Sequence, residues 1–158
     1  MLSLKGDTTP QEVIALSYGL EAGLQKFYTA AAGLALEPEV VRVLSDLAEI
    51  EIRHKDRLFA LYLTVESSPL NKDAFEAEIN SEMTEGGFNP DELLERNLPT
   101  FQSAPDVLNF AMMLEAQAMD LYMRYADKCE DQTVKEILFK MADEEKAHLK
   151  RLGDLIRV

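Results

Sequence analysis

Laying the C-terminal half of this 158-residue chain over its N-terminal half, 94 positions earlier (Glu115 onto Glu21), aligns the two without a slip in register. Leu114-Glu115-Ala116 falls on Leu20-Glu21-Ala22, Tyr122 on Tyr28, Leu138 on Leu44, Ala142 on Ala48, Glu145 on Glu51, His148 on His54, and Arg151-Leu152 on Arg57-Leu58. A chain built this way is two copies of one unit, and a unit that cannot bury its apolar face alone must fold against its twin. The only two histidines lie in the repeat, each three residues after a glutamate (Glu51, Glu145), which itself follows another glutamate by 30 positions (Glu21 to Glu51, Glu115 to Glu145).

Punctuation in the sequence makes each unit a helical hairpin. Thr9-Pro10-Gln11-Glu12 places a capping threonine before a proline at the first helical position, with a glutamate completing a capping box. Apolar periodicity carries a first helix over about 10–36. Glu37-Pro38 permits a tight turn into a second helix over about 38–65, which Ser67-Ser68-Pro69 closes. Ser103-Ala104-Pro105-Asp106 repeats the cap-and-proline signal for a third helix over about 105–128, and a fourth follows over about 131–156. Between the hairpins, 67–103 contains Gly86-Gly87, Asn89-Pro90 and Pro99, a long crossover with short helices expected over 72–79 and 90–96. Scarce Gly and Pro agree with an all-α chain, and 158 residues, 47% of them apolar, suit one domain over 1–158. Short turns within each pair and a long connection between pairs describe an antiparallel four-helix bundle with one crossover.

Residues seven apart share a helix face. The first helix then reads Ile14, Glu21, Tyr28 along one line, and the third reads Leu108, Glu115, Tyr122. The second offers Leu44, Glu51, Leu58 beside Leu47, His54, Leu61; the fourth offers Leu138, Glu145, Leu152 beside Met141, His148, Leu155. Each glutamate and histidine of the repeat interrupts an apolar line. About 15 residues, roughly 22 Å of helix, separate Glu21 from the turn and the turn from Glu51, so the two side chains meet at one level. On one helix Glu-x-x-His ordinarily marks a solvated pair, and a duplicated bundle with solvent-facing glutamates is the plain alternative; the apolar neighbours argue against it.

Four carboxylates in an apolar interior would repel one another and take up protons unless cations joined them. Two divalent ions would balance four negative charges, with neutral imidazoles completing the set. Carboxylate and imidazole donors suit iron or manganese, with zinc able to substitute. The formal charge of −13 disfavours phosphate backbones and anionic lipid, so neither nucleic acid nor membrane is expected as a partner. A lone cysteine, Cys129, excludes an internal disulfide and a cysteine-only metal site. Neither a leader nor a span of roughly 20 apolar residues is evident, which gives a soluble, cytoplasmic expectation.

Across both hairpins the chain resembles the rubrerythrin-like branch of the ferritin-like superfamily, the di-iron carboxylate bundles in which two helices give one glutamate each and two give Glu-x-x-His. The resemblance implies Glu21, Glu51, His54, Glu115, Glu145 and His148 as ligands of two iron ions, with Glu51 and Glu145 bridging. It also implies Tyr28 and Tyr122 as hydrogen-bond partners of ligand carboxylates. The implied activity is reduction of hydrogen peroxide or dioxygen, with a ferroxidase or iron-storage protein and a metal-stabilised adaptor as alternatives. The family's further glutamate, three residues after the third-helix ligand, is Ala118 here, and its rubredoxin domain has no counterpart in this sequence. An external electron donor, such as a rubredoxin-like protein, is therefore expected, along with a small oxidant as substrate and a homodimeric assembly. Ile52 stands where bacterioferritins carry their haem-binding methionine, so haem is not expected. Core packing is the expectation for Met112, Met113, Met119, Met123 and Met141, and a charged outer face for Glu49, Asp143 and Glu144, with orientation of a ligand histidine as the alternative for these acidic residues.

Overall fold

Thr9 starts the first helix as its sequence demands: its hydroxyl accepts the Glu12 backbone N–H, and the Glu12 carboxylate accepts the Thr9 N–H. The computed structural model describes residues 9–34, 37–85, 95–96 and 103–156. Its long helices are α1 (Pro10–Ala32), α2 (Pro38–Val65), α3 (Lys72–Glu85), α4 (Ala104–Lys128) and α5 (Gln132–Ile156). No strand occurs among the described residues. Proline opens α2 directly after Glu37, whose side chain makes no cap bond. Ser103 caps α4 through the Asp106 N–H, and Asp131 Oδ1 accepts the Val134 N–H ahead of α5.

The expected boundaries of α2, α4 and α5 agree with the structure to within a residue, but α1 stops at Ala32 rather than near 36. Gly33 and Leu34 donate back to Ala30 and Ala31, tightening the last turn into i→i−3 bonds. Leu34, which prolongs the apolar pattern, is exposed. Residues 35–36 lie outside the described residues, as does all of the expected 90–96 helix except 95–96, which are helical.

Packing closes the four bundle helices into a ring: α1 lies against α2, α2 against α5, α5 against α4 and α4 against α1. The core along its axis includes Ile14, Leu44, Leu47, Leu58, Leu108, Leu138, Met141 and Leu152, all buried. Met112 and Met119 are half-buried, but Met113 and Met123 are exposed, correcting the expectation that they fill the core. Both point off the outer side of α4, where an unbranched apolar side chain costs a helix little. No helix among the described residues is long and apolar enough to cross a membrane.

Within the crossover α3 is longer than its punctuation suggests, running to Glu85 rather than 79. Asn71 starts it by accepting the Ala74 N–H, and Phe75 and Ile79 are buried. The Phe75 ring centroid lies 5.1 Å from Tyr18, 5.3 Å from Phe59 and 4.4 Å from Tyr62. The Tyr18 hydroxyl donates to Glu76, giving a buried aromatic its polar partner and pinning α3 to α1. Burial first, and Glu76 second, push the Tyr18 phenol well above its usual range. Phe75→Ala should lower the unfolding free energy by about 3–5 kcal/mol in denaturant titration. It should also speed protease cleavage within 72–85; unchanged stability would show that α3 is not anchored by this ring.

Candidate metal centre

Helix periodicity carries six ionisable side chains inward at one level of the bundle. Glu21 comes from α1, Glu51 and His54 from α2, Glu115 from α4, and Glu145 and His148 from α5. The four glutamates are 0% exposed, His54 is 1% and His148 5%, so all six are withdrawn from bulk water. Apolar residues one heptad away on each helix seal them above and below.

Both imidazoles turn Nδ1 toward the middle. His54 Nδ1 lies 2.9 Å from Glu51, 3.2 Å from Glu145 and 3.3 Å from Glu21. His148 Nδ1 lies 3.1 Å from Glu145, 3.3 Å from Glu115 and 3.6 Å from Glu51. The rings are nearly parallel, 16° apart with centroids separated by 5.8 Å. Three carboxylates from three helices thus surround each nitrogen, more acceptors than one N–H can satisfy. Donor atoms of Glu21, Glu51, His54 and Glu145 lie within 4.8 Å of one another, and so do those of Glu51, Glu115, Glu145 and His148. Glu51 and Glu145 are common to both groups.

Two tyrosines brace the outer members reciprocally. Tyr28 of α1 donates its hydroxyl to Glu115 of α4, and Tyr122 of α4 donates to Glu21 of α1. Burial, then the neighbouring carboxylates, raise both phenols well above their usual range, so each remains an O–H donor. Each hairpin therefore holds a carboxylate of the other.

Electrostatics show what this packing costs. Burial pushes Glu51 well above the usual carboxylate range, and Glu21 and Glu145 add to the rise. Glu115 is raised in the same direction, by burial and then by Glu145. Glu145 goes down: burial opposes its ionisation, but hydrogen bonds from Glu115, His148 and His54 outweigh that. Burial works against a charged His148 too, yet Glu115 and Glu145 lift it to about 9. His54 is raised further by Glu145, Glu21 and Glu51 against its own burial. Left to itself the cluster gathers protons in place of cations.

Both Glu51 oxygens, Glu115 Oε2, Glu145 Oε1 and His54 Nε2 are buried without a hydrogen-bond partner. Orphaned oxygens beside inward-facing imidazole nitrogens, in two overlapping groups of four donors, fit a pair of divalent cations. Buried acceptors of this kind are rare without such a role.

Glu144 departs from the outer-face expectation and lies beside a histidine, as the alternative reading had it. Glu49 and Asp143 are exposed, as expected for an outer face, but Glu144 is half-buried. Its Oε2 lies 2.6 Å from His54 Nε2 and accepts from Arg57 at 2.9 Å. The signal was available in the repeat, because the matching position in the first unit is Ile50.

Glu51 belongs to both donor groups, so Glu51→Ala should cost at least one of two bound divalent ions, measured by metal analysis after anaerobic loading; two ions retained would show that Glu51 is no ligand. With Glu51 and Glu115 raised and His148 lifted to about 9, the metal-free cluster holds protons that an incoming cation must displace. Metal addition should therefore acidify a weakly buffered solution, and affinity should fall as pH drops through about 9, where His148 gains its proton. Calorimetry in buffers of different ionisation enthalpy reads both effects.

The Rubrerythrin family model matches residues 106–158, which carry Glu115, Tyr122, Glu145 and His148. A solved structure, that of a hypothetical protein from Pyrococcus furiosus, superposes with a TM-score of 0.64 over 94% of this chain and 88% of that one. The two sequences are 18% identical, so this likeness speaks for the fold alone. No curated protein matches the chain. The fold is an all-helical bundle, and its second hairpin is similar in sequence to the Rubrerythrin family.

Proposed function

We propose that this protein is a non-haem di-iron oxidoreductase that reduces hydrogen peroxide or dioxygen with electrons from an external donor. The observation that carries this reading is the pair of overlapping donor groups, sharing Glu51 and Glu145, inside a closed bundle. Two ferrous ions held there would supply one electron each and Lewis acidity toward an O–O bond. For peroxide the balance is two electrons and two protons in, with the O–O bond broken and two waters out.

The chain's own contributions follow from its geometry. Four carboxylates offset the charge of two divalent ions, which lets an apolar core enclose them. Glu51 and Glu145, facing both groups, keep the two positions adjacent. Glu21 and Glu115 are each steadied by a tyrosine from the opposite hairpin, so they hold orientation while the charge between them changes. Leu44, Leu58, Leu138 and Leu152, buried a heptad from the bridging pair, exclude bulk water and limit access to small molecules. A small redox protein such as a rubredoxin suits the donor role, and a cytoplasmic homodimer is the form in which we expect the protein to work.

The test is to load the protein with ferrous iron without oxygen, add hydrogen peroxide, and follow iron oxidation by absorbance. Oxidation much faster than that of free iron is expected; a rate no faster would eliminate the proposal. Solution mass distinguishes the nearest relative of this reading, since iron storage calls for a hollow cage of about twenty subunits and a dimer has no cavity to fill. Exhaustive chelation should also lower the melting temperature, because ions bound only by the folded chain stabilise it by mass action.

A further inference from the structure

The repeat pairs a covered flank of the bundle with a bare one. On the α1–α2 flank Tyr18 and Phe59 hold the Phe75 ring of α3, whose sequence carries Asp73, Glu76, Glu78, Glu82 and Glu85 against a single lysine. One repeat later, Met112 and Gly153 stand at the positions of Tyr18 and Phe59. Met112 Cε lies 3.6 Å from where Gly153 would carry a Cβ, so these residues mark the seam between α4 and α5. Lys146 and Phe139 continue the line of Gly153 at heptad spacing, and Met123, three turns beyond Met112, shares its face of α4. No second aromatic helix lies over this seam among the described residues, and Met123 is 50% and Phe139 40% exposed. Lys135, one turn before Phe139, and Lys146 have no ion-pair partner among the described residues, whereas Lys150 and Arg151 of the same helix reach Asp154 and Asp46. Asp143 stands about 40° farther round α5. On a chain of formal charge −13, an exposed apolar strip flanked by unpaired lysines runs against the general charge.

The geometry points to the α4–α5 seam as a docking site for a partner protein that presents an acidic amphipathic helix with an aromatic anchor. The α1–α2 flank shows the chemistry such a surface accepts: a ring set between the two helices of a hairpin, and carboxylates around it, one of which takes the Tyr18 hydroxyl. At the seam methionine replaces tyrosine, and an unbranched, polarisable side chain can shift to admit a ring. Gly153 leaves unfilled the space that the Phe59 side chain takes on the other flank. Carboxylates of the partner meet Lys135 and Lys146, which favours an acidic helix over a basic one and speeds its approach. Lys146 directly follows Glu145, so a seated helix lies outside the donor cluster at its own level. The inference needs neither bound metal nor turnover.

A fluorescently labelled peptide of Lys72–Glu85, the acidic aromatic helix of this chain itself, tests it when titrated with the intact protein at low salt and followed by anisotropy. Saturable binding is expected. Phe139→Glu, and separately Lys135→Glu with Lys146→Glu, should weaken it by about tenfold or more, as should Phe75→Ala in the peptide, and added salt should weaken it further. Phe139 and Lys146 are exposed, so helicity by circular dichroism should not change. Should Phe139→Glu fail to fold, the lysine variant decides. Absence of binding, or binding indifferent to the α5 variants, would overturn the inference. So would binding lost in Phe59→Ala but kept in the α5 variants, because the peptide would then be replacing α3 on its own flank. A dimer in sedimentation that Phe139→Glu dissolves would give the seam to a second copy of this chain and overturn the inference likewise.

Discussion

Four carboxylates forced into one apolar space dominate the energetics of this molecule. Each ionised group buried alone costs several kcal/mol, and mutual repulsion adds to that. The structure relieves the strain in three ways: inward imidazoles, tyrosine hydroxyls crossing between hairpins, and a shift of Glu51 and Glu115 toward the neutral form. None of these satisfies both Glu51 oxygens. A core that leaves both oxygens of Glu51 without a donor is compatible with a pair of cations, and the surrounding leucines raise the cost of leaving those oxygens bare.

Stability must therefore come from elsewhere. Replacing a buried ionic cluster with apolar side chains is often stabilising by about 1–4 kcal/mol. Apolar layers from Ile14 to Leu152 supply the opposing term, together with helix starts set by Thr9, Ser103 and Asp131. The crossover contributes as well. Through Phe75 and the Tyr18–Glu76 bond, α3 covers one end of the α1–α2 hairpin and buries three further aromatic rings against its own.

Most of the bundle was legible because helix punctuation is local chemistry. A capping threonine or serine followed by proline can be read from four residues, and the heptad lines needed only spacing. The donor set was legible because the same six residues recur at one offset, and the structure brings all six together at one level of the bundle. What could not be read was tertiary. The apolar pattern ran past Ala32 because Leu34 counts as apolar whether or not anything covers it. Met113 and Met123 looked like core for the same reason. The extent of α3 and its dock on Tyr18 depend on contacts between segments far apart in sequence. For Glu144 an outer face was preferred over a place beside a histidine because charge in a helix is ordinarily solvated, and only the approach of α2 to α5 puts His54 and Arg57 beside it.

Duplication explains the symmetry of the donors, and contact geometry explains where symmetry ends. The six inward side chains face one another across the axis, so a change in one must be answered by the rest, and the two halves are held alike. The outer ring is answerable only to its immediate neighbour. Arg57 and Arg151 occupy equivalent positions, yet one turns to Glu144 beside the cluster and the other to Asp46 on the surface. A single pair of residues, Ile50 and Glu144, accounts for that choice, since a carboxylate offers a guanidinium a partner and a butyl group does not.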